Sequence, residues 1–246
     1  MTAIMGWQGA GSARSTEQAL GSFVDARSSL RVEVHRPGAG SSRWREYLAG
    51  AEDRYRAHDI LGALDRPGLE DGGSATLVFV VLDVAGRVVA GVRGHGPLRS
   101  TTAAAALGEL GAHARLGHLE DLVGERLEHG LVEIKGAWVS PHLRRAGVSA
   151  ALARCHVHAM TWFGARYAMC TSSVQTAPRW ESSGGRAMAG FEPVHYPDER
   201  YDTVLLWWTR ELVESQASPR QWELMVAEAA ELGCGPRVVP VGSRST

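Results

Sequence analysis

The sequence predicts a mixed α/β fold in a single domain, with a mixed central sheet of about six to seven strands flanked by helices. Three observations predict it. Residues 76–83 (TLVFVVLD) are almost all apolar and β-branched, the pattern of a buried central strand. Ala85-Gly86 turns the chain into a second run, residues 87–93 (RVVAGVR), which completes a hairpin. Beyond residue 130 strand and helix patterns alternate, which gives strand–helix–strand units. The chain has 246 residues, of which 44% are apolar and 22% charged, enough for one well-buried core.

The elements follow in order. Residues 1–28 are rich in Gly, Ser and Ala without a period and read as a flexible leader. Residues 30–36 (LRVEVHR) alternate as a strand does, and Pro37-Gly38-Ala39-Gly40 stops them. Trp44, Tyr47, Leu48, Ala51 and Tyr55 fall at helical spacing within residues 43–64. A helical insert is predicted at about 98–130, and residues 131–139 (LVEIKGAWV) form the next strand. Val148, Leu152, Cys155, Ala159 and Trp162 step by four, three, four and three, the apolar stripe of a helix over 148–163. A strand over 166–172 and a short helix over 177–183 come next. Residues 186–194 and 203–208 (TVLLWW) read as a strand pair around the loop HYPDERYD. Ser218-Pro219-Arg220-Gln221 is a capping box with Pro at the first helical position, opening a last helix that Gly233 ends. The core domain thus spans 29–210, with a C-terminal helix and polar tail over 211–246.

Composition narrows the function classes. The formal net charge is −1 and the basic residues are scattered singly, so neither nucleic acid nor an anionic membrane is an expected partner. No stretch approaches the roughly 18 apolar residues of a membrane span, and the start lacks the charged and apolar regions of a secretory signal. Cys155, Cys170 and Cys234 are sparse and match no zinc spacing, which suits a reducing cytoplasm. His156 and His158 sit two apart on a helix and so do not share a face, and no metal is expected.

The informative segment runs from Val139 to Leu152 (VSPHLRRAGVSAAL). A strand ends, a turn follows and a helix begins at Gly147. Unpaired N–H groups and the dipole at such a helix start favour an anion, phosphate above all. Gly147 permits close approach of the backbone. Ser149 keeps the approach open, and Arg144 and Arg145 can add charge-assisted bonds.

Here the chain resembles the GNAT (N-acetyltransferase) superfamily, whose signature is Gln/Arg-x-x-Gly-x-Gly/Ala after a Val-x-Pro lead-in. Arg144-x-x-Gly147-x-Ser149 and Val139-x-Pro141 match it, with Ser at the last place. The resemblance covers about residues 76–208, roughly half the chain. It implies an acyl-CoA-dependent acyltransferase that uses acetyl-CoA or a longer acyl-CoA, with no metal. It places Trp138, Val139, Arg144, Arg145, Ala146, Gly147, Val148 and Ser149 on the CoA, with a strand bulge along the pantetheine arm.

The resemblance also implies catalytic and substrate residues. Some family members carry a base six residues before the apolar residue of the lead-in, and Glu133 stands there; burial would raise its pKa and Lys135 would oppose that. The family's Ala-x-x-x-Tyr-x-x-x-Gly-Phe is answered by Ala177 to Gly185, with the family's spacing from the aromatic to the first Gly, Trp180 for the Tyr acid and Gly185 for the Phe. An indole N–H does no acid chemistry near neutral pH. Arg93, Ser172, Trp180, Tyr196 and Tyr201 are the candidate contacts to the acceptor, a small-molecule or peptide amine. Arg93, the insert and Glu133 are also similar to acyl-homoserine lactone synthases and N-acyl amino acid synthases, which would make acyl carrier protein the donor. A third reading is a non-catalytic acyl-CoA sensor or scaffold. An exposed edge strand at 203–208 would make a homodimer an expectation as well.

Overall fold

The computed structural model describes residues 17–143 and 146–233. Alternation and turn chemistry set most element boundaries. The elements are strands β1 (Gly21–Val24) and β2 (Arg31–His35), helices α1 (Ser42–Ala57) and α2 (Arg66–Leu69), strands β3 (Ala75–Leu82) and β4 (Val88–His95), and helices α3 (Ala105–Glu109) and α4 (Leu116–Leu127). Strand β5 (Leu131–Val139), helix α5 (Val148–Phe163), strand β6 (Tyr167–Ser173) and helix α6 (Ala177–Glu181) follow. Strands β7 (Arg186–Ala187), β8 (Val194–His195) and β9 (Asp202–Thr209) and helices α7 (Val213–Gln216) and α8 (Pro219–Glu231) complete them. Among these described residues no helix is long and apolar enough to cross a membrane.

The strands form one mixed sheet in the order β1-β2-β3-β4-β5-β6-β9-β7, with β8 also paired to β9. It has nine strands where six to seven were predicted. One extra strand is β1, inside the segment read as a leader. Four residues beginning with Gly carry no legible period, and it is pairing with β2 that makes them a strand. The predicted strand over 186–194 is instead two separate two-residue strands, each antiparallel to β9. Strand β9 also pairs with β6 along its length, so residues 203–208 are interior and offer no open edge for a dimer.

Helices cover both faces. Helix α1 lays Trp44, Tyr47, Leu48 and Ala51 against β3, β4 and the Trp138 ring. Ser41 Oγ caps it by accepting from Trp44 N at 2.9 Å. Helices α3 and α4 cover the same face farther along, over Leu131, Met169 and Leu205. Helix α5 packs Val148, Leu152, Cys155 and Ala159 on the opposite face, against Val132, Ile134, Ala168 and Leu206. The last helix opens at Ser218 as predicted, with Ser218 Oγ accepting from Gln221 N. The Gln221 side chain does not reach back to close the box. Its Oε1 accepts from Arg154 Nη1 at 2.6 Å, which joins α8 to α5.

Candidate active site

The site begins with a fault in the sheet. Gly91 pairs with Trp138 and Arg93 with Lys135, so β5 carries one more residue than β4 between these pairs. Gly136 takes up the resulting bulge at φ +62°. A Cβ there would lie 2.4 Å from Arg93 Nη1 and 2.6 Å from Tyr47 Oη, so only Gly fits. Tyr47 Oη donates to the Gly136 carbonyl at 2.7 Å and pins the bulge. Strand β5 runs parallel to β6 only over residues 131–133 and 167–169. From Ile134 onward, ahead of the bulge, the two strands are no longer paired.

A cavity of about 620 Å³ fills the gap. Residues from both sheet faces line it: Arg93, Lys135 and Thr171 from one, Val92, Ile134 and Cys170 from the other. A second cavity of about 490 Å³ reaches Val139, Ser149 and Leu152 at the start of α5. The two share Tyr55, Ile60, Ala137, Thr176, Trp180 and Tyr201. One path therefore leads from the beginning of α5, past the bulge, into the sheet.

The path starts where the phosphate-binding loop was predicted. Gly147 precedes α5 in a left-handed conformation, φ +80°. Arg27, from the β1–β2 turn, lies against it; a Cβ on Gly147 would meet Arg27 Nε at 2.5 Å. Of the predicted CoA contacts, Arg144 and Arg145 lie outside the described residues. Val148 is core, 1% exposed, and Ala146 packs against the same core. Val139 and Ser149 line the second cavity. Trp138 lines it too, although its ring is 7% exposed and packs on α1, so close that a Cβ on Gly50 would meet it at 2.1 Å.

The predicted substrate contacts Arg93, Ser172, Trp180, Tyr196 and Tyr201 come together in the lining of the larger cavity. Arg93 Nε donates to His95 Nε2 at 3.1 Å, and its Nη1 has no hydrogen-bond acceptor among the described residues. Burial holds His95 neutral, with its pKa lowered to about 3, so Nδ1 carries the proton toward Ser74 Oγ at 2.7 Å. Burial and the nearby Glu109 raise the pKa of Tyr196. The Trp180 N–H is committed to Ser172 Oγ at 2.9 Å and is not free to donate to a leaving group. A Cβ on Gly185 would lie 2.6 Å from the Trp208 ring, so Trp208 occupies the space that a Phe would fill there.

Glu133 does not join this group. It is fully buried and absent from the cavity lining. Its carboxylate accepts from Ala105 N at 2.9 Å and Ala106 N at 2.7 Å, holding the first turn of α3. Burial raises its pKa, against the pull of Lys135 and these two bonds. Of the acidic residues that line the cavity, Asp65 caps α2, its Oδ1 accepting from Gly68 N, and Glu109 accepts from Lys135 Nζ and Thr171 Oγ1. Sequence reasoning missed Glu109 because it sits in the insert, where nothing in the spacing links it to β5. Glu133→Gln is expected to lower stability by about 1–3 kcal/mol, because the amide sets an NH2 donor against one of the two N–H groups. A drop in Tm of roughly 2–10 °C checks this; an unchanged Tm with lost turnover would return Glu133 to the role of base. Among the described residues, no group of three or more His, Cys, Asp or Glu side chains is placed to hold a metal ion.

Solved structures share this fold. FeeM, an N-acyl amino acid synthase from uncultured soil microbes, superposes with a TM-score of 0.51 at 14% identity, over 78% of this chain and 98% of its own. BjaI, a CoA-dependent acyl-homoserine lactone synthase, does so with a TM-score of 0.52 at 13% identity, over 81% and 88%. An acyl-CoA N-acyltransferase from Pseudomonas aeruginosa gives 0.50 at 12%, over 74% and 100%. The protein thus has the fold of the GNAT superfamily of N-acyltransferases. No family model matches the chain. It is 34% identical over 203 residues to the uncharacterized protein Rv1356c of Mycobacterium tuberculosis, 82% of this chain and 77% of that one, and likewise to Mb1391c of Mycobacterium bovis. It belongs to the same family as these mycobacterial proteins.

Proposed function

We propose that the protein moves an acyl group from acyl-CoA to the amine of a small molecule or peptide. The observation that carries this reading is the path formed by the two cavities, from Ser149 at the start of α5 through the parted strands to Arg93, Lys135 and Glu109. The pyrophosphate would sit at the start of α5, beside Arg27, where helix N–H groups and a guanidinium both favour an anion. The pantetheine arm would pass Val139 and Ala137, which brings the thioester to Trp180.

The chemistry follows from what faces that point. The amine nitrogen attacks the thioester carbon, a C–N bond forms and the C–S bond breaks. The proton leaving nitrogen goes to Glu109, and the sulfur departs as thiolate. Trp180 supplies no proton, and a thiolate leaves readily without one. Holding both reactants in one cavity supplies much of the acceleration.

The test follows free thiol with acetyl-CoA, longer acyl-CoA and acyl carrier protein thioesters against a panel of amines. Thiol release with acyl-CoA is expected, falling at least about a hundredfold in Glu109→Gln, the low end for losing a general base. Release from acyl carrier protein alone would replace the donor. Binding of CoA esters with no release for any amine would make the protein an acyl-CoA sensor.

A further inference from the structure

We propose that the acyl group this protein binds carries a hydroxyl close to the thioester, and that His156 Nε2 accepts a hydrogen bond from it. The inference rests on the acyl-CoA reading above and names its substrate class. His156 lies on α5, in the lining of the larger cavity, and is 1% exposed. Its Nδ1 lies 3.1 Å from the Ala153 carbonyl. A carbonyl only accepts, so Nδ1 carries the proton and Nε2 holds a lone pair. Nε2 has no partner among the described residues.

The ring is held in place. It stacks on Trp208 with centroids 4.0 Å apart and lies 5.3 Å from Trp180. Burial keeps it neutral, lowering its pKa to about 3, so the nitrogen serves as a fixed acceptor and not as a proton carrier.

Its surroundings narrow the ligand. Val92, Ile134 and Cys170 form the apolar wall of the same cavity on the α5 side. A saturated acyl chain would satisfy that wall and leave the buried nitrogen bare. A hydroxyl on the chain satisfies both. An ammonium donor is disfavoured because Glu109 is already paired with Lys135 and Arg93 adds a further positive charge to the cavity. Trp180 belongs to both cavities, at the junction where the thioester arrives, and His156 is its neighbour. The donor therefore belongs on the carbons next to the thioester.

Calorimetric titration of the full chain with 3-hydroxybutyryl-CoA and butyryl-CoA tests this. The hydroxylated thioester is expected to bind roughly tenfold tighter, the size of one buried hydrogen bond. His156→Phe keeps the ring on Trp208 and should erase the preference without weakening butyryl-CoA. Should that variant fail to fold, the Nε2 nitrogen resonance of the unaltered protein decides: it should move with 3-hydroxybutyryl-CoA and stay with butyryl-CoA. Equal affinities, as when an ordered water serves the nitrogen in both complexes, overturn the inference and leave the acyl-CoA reading standing. Binding of neither thioester overturns both.

Discussion

Arg154→Ala is expected to destabilise the protein by about 3–5 kcal/mol, the cost of breaking a buried ion pair by removing one partner. Arg154 is fully buried. Its Nε donates to both Glu228 oxygens at 3.0 and 2.8 Å, and its Nη2 donates to Asp25 Oδ1 at 2.5 Å. Nη1 holds Gln221. One guanidinium thus ties the β1–β2 turn and α8 to α5. Without it two buried carboxylates face each other's charge, and Glu228 keeps only its hydrogen bond with His158 Nε2 at 2.9 Å. Arg154→Lys should recover only part of the loss, because an ammonium offers three donors from one atom where the guanidinium spreads five over a planar fork. Thermal unfolding should show a fall in Tm of roughly 10 °C; an Arg154→Ala protein within about 1 kcal/mol of the parent would refute the account.

The same cluster sets the acid side of stability. Burial pushes the Asp25 carboxyl up, but bonds from Ser28 and the charge of Arg154 outweigh it and hold the pKa below the ordinary value. A depressed carboxyl stabilises fully above its unfolded pKa, about 4, and that contribution is lost as pH falls through the folded value. Arg154→Ala should therefore flatten the pH dependence of stability below about pH 4.

Gly147→Asp is expected to weaken CoA binding about a hundredfold or more while the fold persists. The position has φ +80°, where a side chain other than Gly is strained, although Asp tolerates it better than most. A carboxylate at the start of α5 favours the helix dipole, so it does not unfold the helix. It would instead stand where the anion belongs and take Arg27, whose Nε lies 2.5 Å from the added Cβ, for itself. Losing about 3 kcal/mol of charge-assisted bonding corresponds to that factor. Arg27→Ala, which removes one donor and leaves the backbone intact, should cost roughly tenfold. Titration of CoA by calorimetry measures both. Unchanged affinity in a folded Gly147→Asp protein would remove the pyrophosphate from this loop.

Most of the scaffold was legible because its signals are local. The run Thr76–Asp83, the stripe of α5 and the cap at Ser218 each need only neighbouring residues to act, and each element lies where its pattern put it. The errors lie where neighbours in sequence say nothing. Strand β1 exists through pairing with β2, and residues 188–193 leave the sheet although their ends pair with β9. Glu133 was chosen by its offset from Val139, but alternation along β5 only names a face. What covers that face at residue 133 is α3, brought there from the insert.

The alternation of β3 to β5, the helix after Gly147 and the chemistry of a helix start follow from residue order, because they depend on periods of two and 3.6 and on one Gly. Which carboxylate meets the cavity does not. Glu109 and Lys135 are 26 positions apart, His156 and Trp208 farther still, and only the parting of β5 from β6 gives them a common space. A hydrogen bond or a desolvated lone pair is decided at about 3 Å, a scale on which the distance along the chain carries no information.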